Sequence, residues 1–392
     1  MSALALLRTP AVARLLSSSL LGRLPTGMVP LALVLVTRQS GFDFATAGLL
    51  TASYAAGSAV GGPMLSRVID RSRQSRVLVL SAITSSAALA LLPLLGSVPA
   101  LAAAALAGLS APPLEPCLRS LWPVVLPPTD APQALAVDAA AQQLVFVTGP
   151  LVVLAAVLLF DASGGLAAAA VVGLAGTLWF ASTPASRTWR ASEVADRHWA
   201  GPLRSSRMRR LYLVVALVGT TVGVFAVSAV AYAEMKGNAS FGAWVVAANA
   251  LGALLGGLAY SERAGVVDAR RALPALVGAL ALAYLPLAAL PPEALMLAAA
   301  VLSGAFLPSV LTCLFQLTDA LAPVGTTTEA FAWLISAFLV GSAAGAAVSG
   351  QLAASGATGV AFLTAAGTSL VAAVTARRLL RRPRHSGGIR SK

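Results

Sequence analysis

The sequence predicts an all-α membrane protein of twelve transmembrane helices in two pseudo-symmetric six-helix bundles, and three observations carry that prediction. Of 392 residues, 58% are hydrophobic and only 10% charged, with a mean hydropathy of +0.85, far from the balance of a soluble domain. The apolar residues fall in successive runs of about 20, the length that crosses the hydrocarbon core as a helix. A glycine pattern in the second run, Gly57-Ser-Ala-Val-Gly61-Gly62-Pro63, returns in the eighth as Gly252-Ala-Leu-Leu-Gly256-Gly257-Leu258. The spacing is half the chain length, which marks an internal repeat.

Taken in order, apolar runs bounded by proline, glycine and charge place helices near 11–36, 44–66, 77–96, 99–124, 134–158, 165–182, 211–232, 240–261, 272–290, 294–317, 327–352 and 357–376. The first lacks the short apolar core and small-residue cleavage site of a signal peptide and is read as a retained span. Within it, Pro25, Gly27 and Pro30 are expected to break the helix just beyond Arg23. The fourth, 99–124, is read as one helix. A polar stretch separates the sixth span from the seventh. The organisation is therefore an N-terminal bundle of 1–182, a central loop of 183–210, a C-terminal bundle of 211–376 and a basic tail of 377–392.

A formal net charge of +13 would suggest a nucleic-acid partner in a soluble protein. Here position explains it. Cations crowd the loop with Arg67, Arg71, Arg73 and Arg76, the segment 187–210 and the tail, which share one side of a twelve-span chain. The positive-inside rule puts that side, with both termini, in the cytoplasm of a cell bounded by the plasma membrane. The partner implied is the lipid bilayer and not nucleic acid. Cys117 and Cys313 sit inside apolar runs, His198 and His385 in polar ones, and no metal spacing is present. No phosphate loop, hydrolase carboxylate pair or Ser-His-Asp arrangement appears, so neither an enzyme nor a cofactor is expected.

The ionisable residues inside the runs are the informative ones. Arg23 lies about 18 Å into its span at 1.5 Å per residue, near the bilayer midplane. An arginine there costs roughly 2.5–3.5 kcal/mol unless it meets an acid or a watery cavity. Glu115 and Arg119 are four residues apart and share a helix face. They form either a static pair locking the fourth helix or an exchangeable network with Arg23. Asp138, level with Arg119, is a further network member or an acid favoured by the dipole of its helix start. Gln142 and Gln143, one turn on, are positioned to hydrogen-bond a polar solute or to hold helices together. Thr326-Thr327-Thr328-Glu329 matches a capping box; the alternative for Glu329 is contact with the 67–76 loop.

The second span ends in Gly62-Pro63-Met64-Leu65-Ser66-Arg67-Val68-Ile69-Asp70-Arg71-Ser72-Arg73-Gln74-Ser75-Arg76, which resembles the loop signature of the major facilitator superfamily, G-x-x-x-D-R-x-G-R-[RK]. Asp70, Arg71 and Arg76 stand at its acid and base positions, while Ser66, Arg73 and Gln74 depart from it. Thr148-Gly149-Pro150 is similar to the core of the motif that exporters of this family carry in helix five. Ala104 stands where proton-linked drug exporters usually have an arginine. The resemblance implies a secondary transporter that exports small organic molecules by alternating access with proton coupling, as a monomer. Arg23 and Glu115 would then handle solute and proton, and Gly62, Asp70, Arg71, Arg76, Gly149, Pro150 and Glu329 the conformational switch. Uptake of a solute, and a receptor or scaffold that has lost turnover, are the rival readings.

Overall fold

The computed structural model describes residues 6–42, 44–190, 200–237, 241–264 and 266–380, and the described chain is helical with no strand. Eleven stretches of the described residues are long and apolar enough to cross a membrane, one of them, Val98–Val125, made of two successive helices. The twelfth, Phe44–Asp70, has the length but is diluted by glycine, serine and tyrosine. In chain order the helices are α1 Pro10–Gln39, α2 Phe44–Asp70, α3 Gln74–Leu91, α4 Ser97–Leu109, α5 Leu114–Val125, α6 Ala131–Leu159, α7 Ala162–Ser182, α8 Pro184–Thr188, α9 Ser206–Met235, α10 Phe241–Ser261, α11 Ala269–Ala288, α12 Glu293–Leu321, α13 Thr327–Ala354 and α14 Thr358–Leu380. Residues 381–392, most of the expected tail, lie outside the described residues.

Local chemistry sets the ends. Pro10 opens α1, where its missing N–H costs nothing. The side chains of Asp161, Ser205 and Asp268 accept hydrogen bonds from Gly164, Met208 and Arg270 amides at the starts of α7, α9 and α11. Gly41, at φ +81, lets the chain leave α1 in the left-handed region. Side chains such as Leu94, Leu158 and Phe160 stay 80%, 87% and 79% exposed, the outer surface expected of helices whose solvent is lipid.

Two expectations about breaks are reversed. Helix α1 runs through Pro25 and Pro30 without interruption. Each proline stands alone and removes a single backbone bond, and the Pro25 ring lies against Gly173 of α7, which has no side chain to obstruct it. The fourth span is two helices, α4 and α5, parted at 110–113. Pro112 and Pro113 both lack an N–H, and a residue preceding proline is driven out of the helical region. The Leu114 amide instead donates to the Pro112 carbonyl at 2.8 Å. The seventh span also begins earlier than expected, at Ser206, and the ends of the central segment are packed: Trp189, Gly201 and Pro202 are buried.

The repeat is visible as matched helix crossings. A Cβ on Gly57 or Gly61 of α2 would strike the Ala105 or Leu109 carbonyl of the fourth span. At Gly252 or Gly256 of α10 it would strike Val301 or Ala305 of α12. Gly27 and Gly149 bring α1 against α6 as Gly223 and Gly345 bring α9 against α13. Small residues permit these approaches because helices in lipid associate by close packing rather than by burying oil. The Gly149-Pro150 pair thus sits at a crossing whose glycine both halves share.

Candidate functional site

Helices α1, α5 and α6 bring four charges together at the middle of the N-terminal half. Arg23 Nη1 donates to Asp138 Oδ1 at 2.7 Å, and Arg119 Nε donates to Asp138 Oδ2 at 3.0 Å. Arg119 Nη2 also pairs with Glu115 Oε1 one turn back, while Arg23 Nη2 stands 3.9 Å from Glu115 Oε2. Asp138 and Arg119 are 0% and 1% exposed, Arg23 5%, and Glu115 22% on its side chain. Two cations and two anions cancel, which is the condition for keeping charge away from water. The partner that Arg23 takes first is Asp138, not Glu115, and Asp138 serves both arginines. Arg23 Nε and Nη2 and Arg119 Nη1 make no hydrogen bond with the described residues.

Above this network is a cavity of about 660 Å³, in the size range that encloses small organic ligands. Arg23 and Glu115 line it, with Thr26, Tyr54, Phe146 and Ser336 among the others. Residues 111–116 also border it, because the break in the fourth span lets the start of α5 reach the cavity. Gly62 is on the wall, and a Cβ there would meet nothing within 4 Å. Gln142 and Gln143 are half-buried and are not on this lining. Among the described residues of the C-terminal half, only those of α13 contribute.

The end of the molecule that carries Arg67 to Arg76 closes differently. Asp70 accepts hydrogen bonds from the Thr328 and Glu329 amides at 3.2 and 2.8 Å, so an acid from α2 caps α13 of the opposite half. The expected capping box does not form, and Thr326 Oγ1 turns to the Pro323 carbonyl. With its cap supplied by Asp70, Glu329 is free to take Arg67 Nε at 3.0 Å and Trp333 Nε1 at 3.3 Å. Gly201, at φ +47, lies so close that a Cβ would come within 2.6 Å of both Glu329 carboxylate oxygens. Arg71 and Arg76 are exposed and make no ion pair with the described residues. Nearer the cavity Ser336 Oγ bonds the Ala59 carbonyl at 2.9 Å, again α13 to α2.

One further contact joins the halves. The Arg119 guanidinium lies over the Phe315 ring of α12, 3.5 Å from its centroid, and Phe315 meets Phe331 of α13 edge-on at 6.4 Å. Glu329 thus takes its alternative partner, the 67–76 loop, through Arg67. Phe315, Gly201 and Trp333 escape a reading of the sequence, because an aromatic in an apolar run has no distinguishing signal.

Residues 15–237 match the family model described as Major Facilitator Superfamily. The chain belongs to the major facilitator superfamily. It is a membrane transporter and not an enzyme. No curated protein matches it. Among solved structures, a bacterial homologue of the iron transporter ferroportin, in its outward-facing state, superposes with a TM-score of 0.75 at 16% identity, covering 94% of this chain and 99% of that one. The human organic anion transporter MFSD10 gives 0.72 at 17%, covering 94% and 100%. The Escherichia coli fucose:proton symporter gives 0.71 at 15%, covering 94% and 98%. At such identities these likenesses establish that this superfamily member has the superfamily's fold.

Proposed function

We propose that the protein is a secondary active transporter that exports small organic molecules across the plasma membrane by alternating access, coupled to protons. The two halves, 1–182 and 211–376, rock about the cavity, with both termini cytoplasmic and a monomer as the working unit. The observation that carries this reading is the charge-balanced network at the cavity floor, because intramembrane ions persist where they serve a solute or proton path. Of its two acids Glu115 alone borders the cavity, so it is the one placed to exchange a proton. Arg23 is placed to bind a polar group of the solute. The Asp70 and Glu329 contacts act as the cytoplasmic seal, released when the halves exchange the open side.

Export rests on the Thr148-Gly149-Pro150 resemblance. Uptake is the alternative in direction. Inverted vesicles carrying the protein, screened against a solute library with and without a pH gradient, separate them. Accumulation that collapses with the gradient and with Glu115→Gln is the expected result. Accumulation unaffected by both removes the proton coupling, and accumulation only in right-side-out vesicles replaces export with uptake.

A further inference from the structure

We propose that Phe315 is the positioning residue through which the cavity's charge network sets the seal at the arginine-rich end. The inference deepens the function just proposed and rests on it only for its consequence in flux. The contacts are continuous. Arg23 and Glu115 face the cavity, and Arg119, behind Glu115, is held at Nε by Asp138 and at Nη2 by Glu115. Its face rests on Phe315, Phe315 rests on Phe331, and Phe331 stands two residues beyond Glu329. At that same helix start Asp70 caps the amides and Arg67 holds the carboxylate. Arg119, Phe315 and Phe331 are 1%, 2% and 0% exposed, so none can shift without displacing the next.

The physical lever is the guanidinium. With both carboxylates engaged, its plane is fixed in two places, and the ring face sits where the cation attracts it. Neutralising Glu115, by a proton or a ligand, leaves only the Asp138 bond as a pivot. Arg119 then turns about Nε, the ring loses its partner, and the first turn of α13 is released from its packing. Seal and cavity thereby share one two-state element, which is what coupling between separated sites requires.

The experiment measures the seal directly. Spin labels on cysteines replacing Ser72 and Val324, both exposed, report the separation of α2 and α13 by electron–electron resonance in detergent. Cys117 and Cys313 are buried and stay as they are. In the parent, Glu115→Gln raises the population at the longer distance about threefold or more. In Phe315→Leu and in Phe315→Met, which keeps the bulk and loses the ring, the same change has no effect. Phe315→Tyr restores the response. A Glu115→Gln shift that persists in the Leu or Met background, that vanishes equally with Tyr, or that is absent in the parent overturns the proposal. A merely structural phenylalanine would alter stability and leave the response intact. Because the distances are read without turnover, a protein that responds but does not export solute would remove the proposed function and leave this one standing.

Discussion

The Arg23 guanidinium and the Asp138 carboxylate, 115 positions apart in sequence, meet at 2.7 Å with the acid wholly buried. That pairing makes Asp138 the hub of the midplane network, since Arg119 uses its other oxygen. It also leaves Glu115, nearer water, as the member with the looser hold on Arg23.

Removing the hub should therefore do more damage than removing either spoke. Asp138→Ala leaves two buried arginines facing one acid and is expected to cost about 3–5 kcal/mol. Arg23→Ala leaves Asp138 still held by Arg119 and should cost less. Adding Arg23→Ala to Asp138→Asn restores charge balance, so the double variant should melt above the Asp138→Asn single. Thermal unfolding in detergent gives the order, and a larger loss for Arg23→Ala than for Asp138→Ala would show that Asp138 is not the hub.

Asp70→Asn keeps a side-chain acceptor for one α13 amide and loses the charge that the helix start favours, worth about 0.3–1 kcal/mol. The seal should open more often, by roughly two- to fivefold. A cysteine replacing Thr328, which is buried at 0% exposure, should then be alkylated faster by about that factor. An unchanged rate would deny Asp70 a role in closure.

Gly201 carries two constraints at once, a left-handed backbone and a carboxylate against its Cα. Gly201→Ala should lose about 1–2 kcal/mol from the backbone alone and displace Glu329 from Arg67. Melting and the label separation across the seal should both change. If neither does, the central segment is a passive connector.

Gly27 and Gly62 make a contrast within one half. A Cβ on Gly27 would come within 2.5 Å of the Val145 carbonyl, prising α1 from α6 and Arg23 from Asp138. Gly27→Ala should therefore lower the melting point and abolish solute flux. Gly62→Ala, with open space around it, should stay within about 0.5 kcal/mol of the parent. Equal tolerance at both positions would mean that the α1–α6 crossing does not position the network.

The apolar spans and the glycine repeat were legible in the sequence because each follows from one-dimensional rules. Apolar length matches the bilayer, and glycines mark close crossings. The members of the network were legible too, since Arg23, Glu115, Arg119 and Asp138 interrupt apolar runs where an unpaired charge would be expelled. Tertiary structure alone decided who meets whom. Which acid Arg23 takes, Glu329 turning from its own helix start to Arg67, Asp70 capping a helix 258 positions away, and Arg119 settling on Phe315 all depend on how helices are rotated and crossed. In lipid, helices apolar on every side carry no stripe that reports their rotation. The proline positions show the same limit. Pro25 is accommodated because Gly173 of another helix leaves room for its ring, whereas Pro112 and Pro113 break their span by backbone sterics alone.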